Sequence, residues 1–167
     1  MKKILITGLL VIIQLLTSCV DNTINKGHAN ENNQNENVTT EEQEQNKMYI
    51  TINDHELEVE LENNSSVMSL IEILKNHNLV YNADDYGNFE KVGSIGYTLP
   101  RNDHQIKAEA GDVILYQGNQ IVLAYGNNSW TYTKLGRIEG YTTNELRDLL
   151  GAGKGIVQVT ISLNNEQ

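Results

Sequence analysis

The run from residue 109 to 138, EAGDVILYQGNQIVLAYGNNSWTYTKLGRI, limits the fold more than any other part of this chain. Three apolar and aromatic stretches are separated by Gly118-Asn119 and by Gly126-Asn127-Asn128, residues that suit tight reversals. The pattern predicts three consecutive antiparallel strands. MYITIND and HELEVELEN form a further hairpin around Asn53-Asp54, with Leu57, Val59 and Leu61 alternating against Glu56, Glu58, Glu60 and Glu62. In GIVQVTISL, Val157, Val159, Ile161 and Leu163 share one face of a terminal strand. Two short helices interrupt the strands. Val67, Leu70, Ile71 and Leu74 recur at helical spacing in SSVMSLIEILKNHN. In YTTNELRDLLG, Thr142 and Glu145 make a capping box, Tyr141 and Leu146 stand at staple positions, and Gly151 supplies a stop. The stretch from Leu79 to Asp103 reads as a long loop with one short strand at Ser94 to Thr98. The tally is about eight strands and two helices. With a single Pro and eight Tyr, this predicts a mainly β fold, a closed or nearly closed antiparallel barrel with helices plugging its ends.

The N-terminus reads differently. Lys2 and Lys3 precede an apolar stretch from Ile4 to Leu16, interrupted only by Thr7, Gly8 and Gln14. That length suits a secretory signal and falls short of the roughly 20 residues of a spanning helix. The stretch ends Leu16-Thr17-Ser18-Cys19, which resembles the bacterial lipobox, a signal that implies acylation of the cysteine and cleavage before it. Residues 1–18 are then a signal peptide, and Cys19 is a lipid anchor at the extracytoplasmic face of the cell membrane. Acyl chains contribute about 0.8 kcal/mol per buried CH₂ to such anchoring. Residues 19–47, rich in Asn, Glu, Gln and Thr, cannot offset their ordering entropy and are expected to form a disordered tether. The folded domain is expected over 48–163, with 164–167 a tail.

Charge and motif content exclude several chemistries. The chain carries a formal charge of −10, and residues 48–163 hold fifteen carboxylates against eight Lys and Arg, which argues against nucleic acid as a partner. Cys19 is the only cysteine, too few for a disulfide or a cysteine-based zinc site. GAGKG at 151–155 lacks the Lys-Ser/Thr pair of a phosphate loop and precedes a strand. NADDYGNFE begins like a calcium loop at Asn82, Asp84 and Gly87, but Gly93 stands where a bidentate Glu is needed. His55, His77 and His104 show no metal-ligand spacing. No cofactor or metal is expected.

The order of hairpin, helix, long loop, AGDVILY, IVLAYG, WTYTKLGRI, short helix and terminal strand resembles the small bacterial cyclophilin-like domains. The strongest matches are Ala110 to Tyr116 and Trp130 to Ile138, with YTLP at Tyr97 to Pro100 in support. The resemblance spans nearly all of 48–163 and implies an eight-stranded barrel capped by two helices. True cyclophilins isomerise X–Pro bonds with an arginine beside an apolar pocket, against a barrier of about 18–20 kcal/mol. Their FHR and GNGTGG-type motifs are absent here, which leaves Arg101 and Arg137 as weak catalytic candidates. The competing reading, favoured for Arg101, is a plain loop charge there and, for Arg137, a partner for a carboxylate or strand edge. Tyr97, Arg101, Tyr125, Trp130 and Tyr132, with Tyr116 among the aromatics, are the candidate ligand-binding residues. Trp130 and Tyr132 share a strand face, which would otherwise pack a helix or the barrel interior. The leading expectation is a membrane-anchored module that binds a peptide or protein ligand without catalysis. The alternatives are an extracytoplasmic peptidyl-prolyl isomerase and, because some cyclophilin-like domains are joined to flavodoxin-like ones, an accessory domain for a flavin or electron carrier.

Overall fold

The computed structural model describes residues 45–165. The expected signal peptide, Cys19 and nearly all of the expected tether lie outside the described residues. The described chain runs β1 (Lys47–Ile52), β2 (His55–Leu61), α1 (Ser65–Leu74), β3 (Leu79–Tyr86), β4 (Glu90–Ser94), β5 (His104–Ala108), β6 (Asp112–Tyr116), β7 (Gln120–Ala124), β8 (Asn128–Ile138), α2 (Thr143–Leu149) and β9 (Val157–Ser162). Eight strands pair antiparallel in the order β2-β1-β9-β3-β4-β7-β6-β8, and β8 returns to β2. They form a closed ring, as the barrel expectation requires. The ninth strand, β5, lies outside the ring and pairs only with the first half of β8, from His104↔Tyr132 to Ala108↔Asn128.

The ring holds the eight strands expected, β5 is additional to it, and the departures from the expected elements lie in residues 79–108. The segment read as loop with a strand at 94–98 contains β3 and β4, joined by a tight reversal at Gly87 (φ 59°) and Asn88 (φ 60°). β3 places Asn82, Asp84 and Asp85 among its apolar residues, and β4 is Glu-Lys-Val-Gly-Ser. Their polar content hides the alternation on which strand recognition depends. The three strands of residues 109–138 and the hairpin at Asn53-Asp54 (φ 49° and 62°) match the pattern read from the chain.

Alternation sorts the side chains onto the two faces of the ring. Ile50, Leu57, Val113, Leu115, Ile121, Leu123, Val159 and Ile161 fill the inside, where Leu70 and Leu74 of α1, Leu146 of α2 and Leu150 just after it join them. Each such side chain contributes roughly 1.5–3 kcal/mol on burial. The helices are fixed by their caps. The Asn64 side chain accepts from the amides of Ser66 and Val67 at 3.0 Å each. Thr142 and Glu145 form the expected reciprocal box, while Tyr141 stays exposed. Ring closure depends on Gly136, where a Cβ would lie 2.4 Å from the carbonyl oxygen of Glu60 on β2.

One pair inside the ring is ionic. Lys91 points inward from β4 and is fully buried; its Nζ lies 2.9 Å from Asp85 Oδ2 and donates to the carbonyl of Gly155 at 2.5 Å. Asp85 also accepts from the Tyr125 hydroxyl at 2.8 Å and the Gly155 amide at 2.9 Å. Burial alone would raise the Asp85 carboxyl, but the hydrogen bonds from Lys91, Tyr125 and the Gly153 and Gly155 amides outweigh it. They hold it well below the usual carboxylate range. The GAGKG segment is thus a strap across this end of the ring. Because the folded-state pKa is depressed, the Asp85 contribution is complete above about pH 4 and is lost as the pH falls further. Lys91→Met leaves the carboxylate without its cation, and urea unfolding at pH 7 should show a loss of about 3–5 kcal/mol. The double variant Lys91→Met/Asp85→Leu should recover most of that loss.

Candidate functional site

The outer face of the ring is apolar along β4, β6 and β7. Ile114 and Val122 point away from the inner core and are fully buried, packed with Ala108 and Tyr132, while Val92, Ile106 and Tyr116 border them. The cross-strand register explains the grouping, since Val92↔Val122 and Ile114↔Val122 place these residues on one surface. β5 and the first half of β8 supply Ala108, Ile106 and Tyr132 to this outer cluster.

Next to this cluster is a cleft of about 680 Å³, within the range of small-molecule sites. Tyr86 and Phe89, from the β3–β4 reversal, form an edge-to-face pair with ring centroids 6.0 Å apart. Tyr116 and Tyr132 form another at 5.8 Å. Trp130, 56 % exposed, completes the aromatic lining. The charged group in the lining is Glu90, on the outer side of β4 next to inward-facing Lys91. Glu90 is 4 % exposed, and its Oε2 is buried without a hydrogen-bond partner. Burial pushes its carboxyl up to about 7. The Tyr132 phenol is raised as well, first by burial and then by the charge of Glu90.

The residues singled out from the chain do not gather in one place. Trp130 and Tyr132 do share the cleft, on the outer face of the sheet and not against a helix or inside the barrel. Tyr125 does not line it. It is fully buried in the inner core, beneath the Arg147 guanidinium at 5.0 Å, with its phenol pushed up to about 12 by burial and by Asp85. Tyr97 is exposed elsewhere and its hydroxyl lies 3.0 Å from His77 Nε2. Arg101 is paired with Asp103, which Thr133 Oγ1 also holds at 2.6 Å. Arg137 bridges buried Asp112 at 2.7 Å and Glu139 at 3.1 Å. Neither arginine lines the cleft. Tyr86, Phe89 and Glu90 escaped the sequence reading because they fall in the segment taken for a loop. No local signal marks Glu90 apart from the solvated glutamates around it.

A larger groove of about 1050 Å³ follows α1, with Gln45 and Asn46 in its wall, but it has no aromatic ring and no buried charge. Among the described residues, no three His, Cys, Asp or Glu side chains are placed to hold a metal. No described helix is long and apolar enough to cross a membrane.

The folded-state carboxyl of Glu90 lies above its unfolded value of 4.5, so the folded protein holds the proton more tightly. Stability contributed at this position is complete below about pH 4.5 and declines as the pH rises to about 7. At 1.36 kcal/mol per unit, the loss is about 3 kcal/mol. Glu90→Gln should therefore match the parent at pH 4.5 and exceed it in unfolding free energy by about 1–3 kcal/mol at pH 8. Urea titrations at the two pH values read this directly.

Among the solved structures that match, two illustrate the shared fold. The protein described as "Structure of McbB in complex with tryptophan" is 20 % identical with a TM-score of 0.52, covering 72 % of this chain and 45 % of that one. The chain thus spans less than half the length of that neighbour. The hypothetical protein AF2241 from Archaeoglobus fulgidus, known from a solution structure, is 18 % identical with a TM-score of 0.52. There the coverage is 71 % of this chain and 94 % of the other. At these identities the likeness is one of fold. No curated protein matches significantly. The cyclophilin-like family model, in contrast, matches residues 50–162, from β1 through the last residue of β9. With its closed antiparallel ring, two capping helices and that match over most of its length, the chain belongs to the cyclophilin-like family.

Proposed function

We propose that this protein is a lipid-anchored module that binds a ligand in the outer-face aromatic cleft without making or breaking covalent bonds. The observation that carries the reading is the cleft itself. It combines an exposed indole, two edge-to-face ring pairs and a buried carboxyl on a rigid sheet. Aromatic walls with few polar groups are the usual make-up of a ligand site. A neighbour of the same fold was solved in complex with tryptophan, an instance of small-molecule binding in that protein. Peptidyl-prolyl isomerisation has weaker footing, because Arg101 and Arg137 are each engaged with carboxylates outside the cleft. The anchoring half of the proposal rests on the resemblance of Leu16 to Cys19 to a lipobox. On this proposal the domain works at the outer face of a membrane.

Each half has its own test. Labelled palmitate should enter the full-length protein in a bacterial host and be absent from Cys19→Ser; equal labelling of the two would end the anchoring proposal. Trp130 is the only tryptophan of the chain, so its emission reports on the cleft. In a screen of small aromatic and aliphatic compounds against the full chain, saturable emission changes should appear. They should be matched by NMR shifts confined to residues around Tyr86, Glu90 and Tyr132. Saturable binding that maps elsewhere, or none, would overturn the cleft as the site.

A further inference from the structure

The cleft is walled by five aromatic rings, and the charged residue in its lining is a single carboxylate. Glu90 is 4 % exposed and its Oε2 has no hydrogen-bond partner. Buried polar atoms are nearly always satisfied, and an exception calls for a specific reason. The neighbouring polar groups do not supply the missing bond. The Tyr132 and Tyr116 hydroxyls accept from the side-chain amides of Asn128 at 2.8 Å and Gln117 at 3.1 Å, and neither donates to Glu90 Oε2. The nearest buried cation in the sequence, Lys91, points to the opposite face of the sheet and is committed to Asp85.

From this arrangement we infer that the cleft selects a protonated organic amine, an ammonium group carried on an apolar body. The inference rests on the cleft being the ligand site and adds the charge and shape of what enters it. An ammonium supplies N–H donors to the unsatisfied carboxylate. The broad terminal torsion of a glutamate allows either oxygen to be presented. The electron-rich faces of Tyr86, Phe89, Tyr116, Trp130 and Tyr132 attract a cation and exclude an anion. The apolar body packs on the same rings. A metal ion is a poor fit, because hard cations require several oxygen ligands and the lining holds one carboxylate. A neutral apolar ligand would leave Glu90 buried and unpaired, at full desolvation cost. The acidic balance of the chain, −10 overall, also favours approach of a cation.

Cyclohexylmethylamine, protonated at neutral pH, and its neutral counterpart cyclohexylmethanol are the probes, titrated into the full-length protein with Trp130 emission and calorimetry as readouts. The amine should bind at least tenfold more tightly than the alcohol. Glu90→Gln should remove that preference, and the alcohol affinity should stay within about twofold. Trp130→Ala, a change at an exposed position that leaves both cores intact, should weaken the amine severalfold, which keeps a test in hand should the Glu90 variant fold poorly. Equal affinity of the two probes, or a preference that survives Glu90→Gln, overturns the amine inference and leaves the cleft as a binding site. Failure of both probes also overturns it. The compound screen then decides the cleft separately.

Discussion

Lys91 and Asp85 meet inside a ring of strands that is otherwise filled with apolar side chains, and the geometry of this end of the fold depends on their pairing. A charge in that position is tolerated only with a partner and with its remaining hydrogen-bonding groups satisfied. Asp85 supplies the counter-charge, the Gly155 carbonyl takes a further ammonium proton, and Tyr125 and the Gly155 amide saturate the carboxylate. The consequence is architectural. The chain after α2 is drawn across the end of the ring, and β3 is held to β4 through side chains as well as backbone. Tyr125, a large aromatic residue, is committed to the interior.

Glu90 and Lys91 are adjacent on one strand, and the pleat sends them to opposite faces. Inside, the lysine finds its complement. Outside, the glutamate lies beneath aromatic rings with an oxygen unsatisfied. Both are buried charges, but only one is compensated within the chain. The compensated pair is structural, and the uncompensated carboxyl is what the proposed binding role rests on. The interior of the ring is packed with side chains, as small eight-stranded closed sheets are, so a ligand has no room there. The outer face gains its concavity because β5 and the first half of β8 extend beyond the ring and bring Tyr132 and Trp130 over the outer surface.

Arginine was the natural place to look for activity in a cyclophilin-like chain, and the structure ties these side chains to architecture. Arg137 holds Asp112 at the start of β6, and Arg101 holds Asp103 in the loop before β5. Arg147 lies over the ring of Tyr125. Tyr116, Trp130 and Tyr132 of the cleft fall within the strongest motifs of the resemblance, whereas Tyr86, Phe89 and Glu90 lie outside them.

The sequence alone determined the scaffold wherever one face of an element is apolar and the other solvated. Leu57, Val59 and Leu61 against four glutamates can only be a half-buried strand, and Thr142 with Glu145 fixes a helix start by local hydrogen bonding. These signals are written within a few residues. The tertiary structure decided which polar residues are buried, because burial depends on partners distant along the chain. Asp85 and Lys91 make β3 and β4 unreadable as strands until Gly155, 64 residues beyond Lys91, is brought against them. Glu90 likewise looks solvated until the β3–β4 reversal, β6 and β8 close over it. Strand periodicity reports a face; only the closed ring decides what that face meets.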